Sequence, residues 1–161
     1  MEFLFAISIG ILVLAAACSL SGFAGHTFVS VLNYVELSND SKNALDRMSQ
    51  AIRNAASLKS YSSTKLVFAD LDGNEIQFAY DPTLKTVTQT KGGVNTVLLR
   101  GCSSFKFSIY QSSPTKNSYD LLTATTNTCQ VVQIQWACSR KLVSSRENTE
   151  RQVSARMVMR N

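Results

Sequence analysis

Histidine is nearly missing from this chain, and with it most of the arrangements that enzymes use. The one His is His26, set in an uncharged stretch with no acid or nucleophile close to it in sequence. No His/Cys spacing suits a metal, no Gly-rich loop suits a phosphate, and no nucleophile elbow is present. The inventory argues against an enzyme and calls for no cofactor and no metal. Proline is scarce as well: the first of only two is Pro82, so nothing forces a break in a long N-terminal helix. Charge is absent where its absence says most. Between Glu2 and Glu36 there is no Asp, Glu, Lys or Arg. The apolar heart of that run, FLFAISIGILVLAAACSLSGFAG, is long enough to span a bilayer, which takes about 20 residues.

Two other readings of this run fit less of it. A cleaved secretory signal has a basic n-region, which is missing here, and an apolar core of only about 7–15 residues. A lipoprotein site at Cys18 would need its Leu one residue nearer than Leu14. After Val35 the chain turns polar but keeps a helical period. Leu37, Ser41, Ala44-Leu45, Met48, Ile52 and Ala55-Ala56 recur at three- and four-residue spacing, which makes one apolar stripe. A helix from about Phe3 to Leu58 would be roughly 80 Å long, far more than a membrane needs. The stripe lasts only a few turns and abundant strand sequence follows, so it is expected to pack on a sheet. Ser19, Ser21, Gly22 and Gly25 bring small residues into the apolar half, where they weaken the helix or let backbones approach.

From Thr64 the period changes to 2. Lys65–Phe68, Glu75–Tyr80, Phe105–Tyr110, Val132–Cys138 and Val153–Arg160 alternate apolar with polar or small residues, as strands buried on one face do. Weaker strands are expected at Leu84–Thr90 and Val94–Arg100. Asp72-Gly73-Asn74 and Lys91-Gly92-Gly93 have the residues of hairpin turns. Asp70–Glu75 faintly resembles a calcium loop, but it lacks the distal Glu, and the turn is the better reading. Gln111–Cys129 and Ser144–Glu150 read as polar connections. The order is one long helix followed by an antiparallel meander, an α+β chain. Residues 1–35 form the membrane half of the helix and 36–161 one globular domain with a single core.

At this point the residues resemble a known family. Glu2 followed by Phe3-Leu4-Phe5-Ala6 and Ile9–Ala15 looks like the start of a type IV pilin-like protein. Leu45–Ala55 is similar to the second helical half of minor pilins and of type II secretion minor pseudopilins of the J class, and Val158–Asn161 resembles the ends of those chains. The likeness covers the N-terminal third well and the β part loosely. It implies a long helix packed on an antiparallel sheet domain. It also implies a subunit of a type II secretion pseudopilus or a type IV pilus, held as a single-pass inner-membrane protein with a periplasmic domain until it assembles. In such proteins the Glu neutralises the terminal amine of a neighbouring subunit. Carried over, assembly falls to Glu2, Phe3, Leu4, Ile7, Ile11 and Leu14, and the partners are other pilin or pseudopilin subunits and the membrane. Met1 stands just before the Glu, so a basic, Gly-ended leader for prepilin peptidase is expected upstream. The competing reading is a membrane-anchored binding module that never polymerises, with DNA as one ligand to consider.

The formal net charge is +5, but the Lys and Arg are scattered without a run. Diffuse charge of this kind is the mark of a solvated face more than of a nucleic-acid site. Of four cysteines, Cys18 lies in the apolar helix, which leaves Cys102, Cys129 and Cys138 in a domain that would face an oxidising compartment. If the strands containing Phe107 and Ile134 pair antiparallel, Cys102 and Cys138 reach the same end and Cys129 the other. A Cys102–Cys138 disulfide and three free thiols then both remain open.

Overall fold

A computed structural model describes residues 2–112, 121–141 and 147–159. Among the described residues one helix, α1 (Glu2–Arg53), is followed by nine strands: β1 (Ala55–Tyr61), β2 (Lys65–Asp70), β3 (Glu75–Asp81), β4 (Thr86–Lys91), β5 (Val94–Arg100), β6 (Cys102–Ser112), β7 (Leu121–Thr123), β8 (Val131–Lys141) and β9 (Glu147–Val158). The class is α+β, a long N-terminal helix packed on antiparallel sheets.

The helix forms because nothing in its sequence opposes it, and its second half is held by packing. Leu37, Ser41, Ala44, Met48 and Ile52, the expected stripe, are its buried residues. It is shorter than the sequence suggests. Asn54 N–H donates to Gln50 O and closes the last turn. Ala55, which continues the helical spacing on paper, instead opens β1 opposite Asp70. Ala55 and Leu58 are buried there as strand residues. An Ala-Ala-Ser-Leu segment has no period of its own strong enough to resist the pairing β2 offers.

The strands divide into two antiparallel sheets where the sequence reads as a single meander. One has the order β1-β2-β3-β4-β5, the other β7-β6-β8-β9. The chain passes between them at Gly101. Its φ of 71° is a left-handed value, and its carbonyl accepts the Ser139 N–H at 2.9 Å. A Cβ at this position would stand 2.7 Å from Ser139 O. Glycine is therefore required twice over, by torsion and by space.

The edge of β6 that faces the first sheet is closed by that sheet's backbone and tyrosines. Cys102 N–H donates to Lys85 O at 3.0 Å, and Phe107 N–H donates to Ser63 O at 2.8 Å. Tyr80 OH donates to Cys102 O and Tyr61 OH to Phe107 O. Without these bonds a row of polar groups beside the core would have no partner. Tyr80, Phe105 and Trp136 stack in sequence across the same seam, with centroids 5.6 and 6.1 Å apart. The buried side chains of both sheets and the helix make one hydrophobic cluster.

Two segments read as connections carry strand instead. Gln111 and Ser112 belong to β6, and Leu121–Thr123 form β7 against it; residues 113–120 lie outside the described part. Glu147–Glu150 begin β9, with Glu150 opposite Ser139. Their polar sequence hid this, because the ladder to β8 sets the strand here. Asp72-Gly73-Asn74 forms the β2–β3 turn, where Gly73 N–H donates to Asp70 O at 2.9 Å. Gly92 and Gly93, both at positive φ, form the β4–β5 turn.

Gly101→Ala should lower stability by more than about 1 kcal/mol, since it combines a left-handed torsion with a Cβ-to-carbonyl clash. Thermal unfolding in detergent would read this as a clear fall in Tm. An unchanged Tm would show that the two-sheet junction tolerates a side chain.

Candidate functional site

The residues singled out for assembly all lie on the part of α1 that the domain leaves bare. From Glu2 to Val29 every residue of the helix is exposed, including Phe3, Leu4, Ile7, Ile11 and Leu14. The structure therefore brings none of them together with the sheets. The uncharged run over residues 3–35 would be roughly 50 Å long as a helix, against about 30 Å for the hydrocarbon core of a bilayer. Length and composition suffice for one membrane crossing. Several hydroxyls on it are already satisfied within the helix. Ser8, Ser19 and Thr27 each donate to the carbonyl four residues back, at 2.8, 2.9 and 3.0 Å. Such bonds remove the need for water at these positions.

Glu2 lies in the first turn, where a carboxylate meets the positive end of the helix dipole. Among the described residues it has no ion-pair partner. His26 is exposed on the same bare stretch. Among the described residues, no three His, Cys, Asp or Glu side chains come together as metal ligands would.

A site that sequence reasoning missed lies where the bare helix meets the domain. Arg140 on β8 donates from Nη1 to Glu36 Oε2 at 2.6 Å and from Nη2 to Asp40 Oδ2 at 3.0 Å. Glu36 and Asp40 stand one turn apart, so a single guanidinium spans both. Arg151 on β9 reaches Tyr34 OH at 3.4 Å. The only signal in the sequence was the spacing of the first two acids after the uncharged run. Their partner, 104 residues further on from Glu36, could not be read from it.

Cys102 and Cys138 face each other across β6 and β8 and are joined by a disulfide. Cys18 is a free, exposed thiol on the helix and Cys129 a free, buried one. Burial pushes the Cys129 thiol above its ordinary pKa, with backbone groups of Tyr110 and Val131 partly offsetting it. Because burial penalises the thiolate, the folded chain loses stability as the pH rises past the ordinary thiol range, where the unfolded chain gives up this proton first. Compared with protein-family models, with curated proteins and with solved structures, the chain matches none.

Two outcomes follow from this geometry. Arg140→Ala should cost only about 0.5–1 kcal/mol, because the two carboxylates are largely exposed and their attraction is screened. The fall in Tm should shrink in high salt, and a salt-independent loss of several degrees would mean that Arg140 acts through packing. In a Cys18→Ser background, iodoacetamide should modify Cys129 slowly in the native chain and quickly after unfolding. Fast native labelling at neutral pH would contradict a buried, neutral thiol.

Proposed function

We propose that this chain is a minor pilin or pseudopilin, a subunit that enters a type II secretion pseudopilus or a type IV pilus through its N-terminal helix. What carries the reading is the bare helix. It is uncharged for longer than a bilayer requires and continues without a break into the segment that holds the globular domain. A plain anchor needs no such excess. In a filament, the same apolar surface is covered by the helices of neighbouring subunits, at the cost of bringing each Glu2 out of water.

On this reading the chain waits in the inner membrane with residues 36–161 in the periplasm. Glu2 then pairs with the terminal ammonium of the next subunit. A carboxylate in low dielectric gains most from a positive partner, and leaving it unpaired is costly. Phe3, Leu4, Ile7, Ile11 and Leu14 provide the apolar contact surface between helices. A non-polymerising anchored module remains the competing function, and the experiment separates the two.

Glu2→Ala should leave the thermal stability of the globular domain unchanged, since that residue lies far along the helix from every strand. Expressed from its native gene, the variant should reach the membrane at the normal level but fail to appear in sheared filaments or to support secretion. Normal incorporation or secretion would favour the anchored module. Loss of the protein from the membrane would point to insertion, and the assembly role would have to be given up.

A further inference from the structure

Three grooves run on from one another along one flank of α1. The first, of about 230 Å³, lies between Asp40, Asn43 and Arg47 of the helix and Thr96–Leu98 of β5. The second, of about 310 Å³, continues past Arg47 to Gln50 and Asn54 and faces Gln89 and Lys91. The third, of about 520 Å³, rounds the end of the helix between Arg53, Asn54 and Arg156. Arg47 lines the first two and Asn54 the last two. On the helix side the stripe falls at positions 40, 43, 47, 50 and 54, a single face beside the buried one.

The charge in this groove is unbalanced. Asp40 is engaged by Arg140, and Asp70 lies 3.6 Å from Lys91. Among the described residues, Arg47 and Arg53 make no hydrogen bond and no ion pair. Arg156 donates to the neutral amide oxygen of Gln133 at 2.9 Å. Three guanidinium groups and Lys91 thus line the connected cleft against two carboxylates, Asp40 and Asp70, and among the described residues neither carboxylate pairs with any of the three guanidinium groups. An acidic occupant is what such a field selects.

The first groove also lies along an open sheet edge. β5 is the last strand of its sheet, and among the described residues no backbone hydrogen bond reaches its outer side. From Val94 to Leu99 it carries no charge and no proline, and Val94 and Val97 are exposed. Natural edges are usually blunted, and an edge left this bare is a template for another strand.

We infer that this groove receives an extended acidic segment of a partner protein, which adds a strand to β5 beside Arg47 and then continues along the helix flank, where its further carboxylates meet Arg53 and Arg156. The edge selects a polypeptide, because only a peptide backbone can continue a ladder of N–H and C=O groups. No aromatic ring lines any of the three grooves, so bases would have nothing to stack on. Side-chain amides at Asn43, Gln50 and Gln89 suit peptide groups as donors and acceptors alike. The inference is independent of the filament reading, since it holds whether the helix assembles or only anchors.

The test uses the full chain in detergent and a fluorescein-labelled peptide of alternating Val and Glu, followed by anisotropy. Saturable binding is expected. Arg47→Ala with Arg53→Ala should weaken it about tenfold, and Lys at both positions should restore part of the loss. N-methylation of alternate amides in the probe should abolish binding, because it blocks strand addition without changing charge. If the double Ala variant fails to fold, the wild-type chain still decides, through the Val-Glu probe against its N-methylated form and against a Val-Lys peptide. Absence of saturable binding, or equal binding of the N-methylated probe or of the Val-Lys peptide, would overturn the inference. Tighter binding of single-stranded oligothymidylate than of the Val-Glu peptide would overturn it too, and would assign the cleft to nucleic acid.

Discussion

Everything in this molecule depends on one helix having to satisfy two surroundings. Up to Val29 it presents apolar side chains on all sides, and the domain covers none of them. From Leu37 onward it buries a single stripe against strands. A helix suits both regions because its backbone groups are paired within itself, whichever medium lies outside. What changes along its length is only the side-chain pattern. The switch falls within two turns, between the last fully bare residues and the buried Leu37, and it is marked by the first charges since Glu2.

The domain is built so that this helix cannot be separated from it cheaply. Sheet β1–β5 and sheet β7-β6-β8-β9 share one hydrophobic cluster with Leu37, Ala44, Met48 and Ile52. The bend at Gly101 and the disulfide beside it fix where the second sheet begins. The bonds from Tyr61, Tyr80, Ser63 and Lys85 close the seam. The ion pairs of Arg140 contribute little free energy by comparison, and their role is to fix where β8 crosses the helix. Dispersion and apolar burial hold the layers together, and the polar contacts set their alignment.

How much of this the sequence made legible follows from the range of each signal. The uncharged run, the buried stripe and the alternating strands β2, β3, β6 and β8 are local patterns, and they stand where those patterns put them. The turn residues Gly73, Gly92 and Gly93 were equally local. What was hidden depended on pairing. Ala55–Tyr61 became a strand because β2 lies alongside it. Glu147–Glu150 joined β9 without any apolar alternation. The need for glycine between the two sheets turned on one carbonyl, that of Ser139, 2.7 Å from where a Cβ of residue 101 would stand. The Arg140 bridge and the cleft along Arg47 join residues far apart in the chain, and no window of sequence contains both sides of either. The functional reading rests on the most local signal of all, the N-terminal third.

The spacing of Glu2 and Glu36 has a mechanical consequence. On the proposed membrane reading, these two residues act as end stops for movement along the helix axis, because a bilayer resists drawing an ionised carboxylate into its hydrocarbon. The uncharged helix between them is longer than the hydrocarbon slab by roughly 20 Å. Within that play no Asp, Glu, Lys or Arg side chain crosses the apolar region, and only His26 and Asn33 pass as notably polar groups. A helix held in this way has a preferred range of depths instead of one fixed depth. An axial pull on the domain could raise it by a distance comparable to several helical turns before a charge resists.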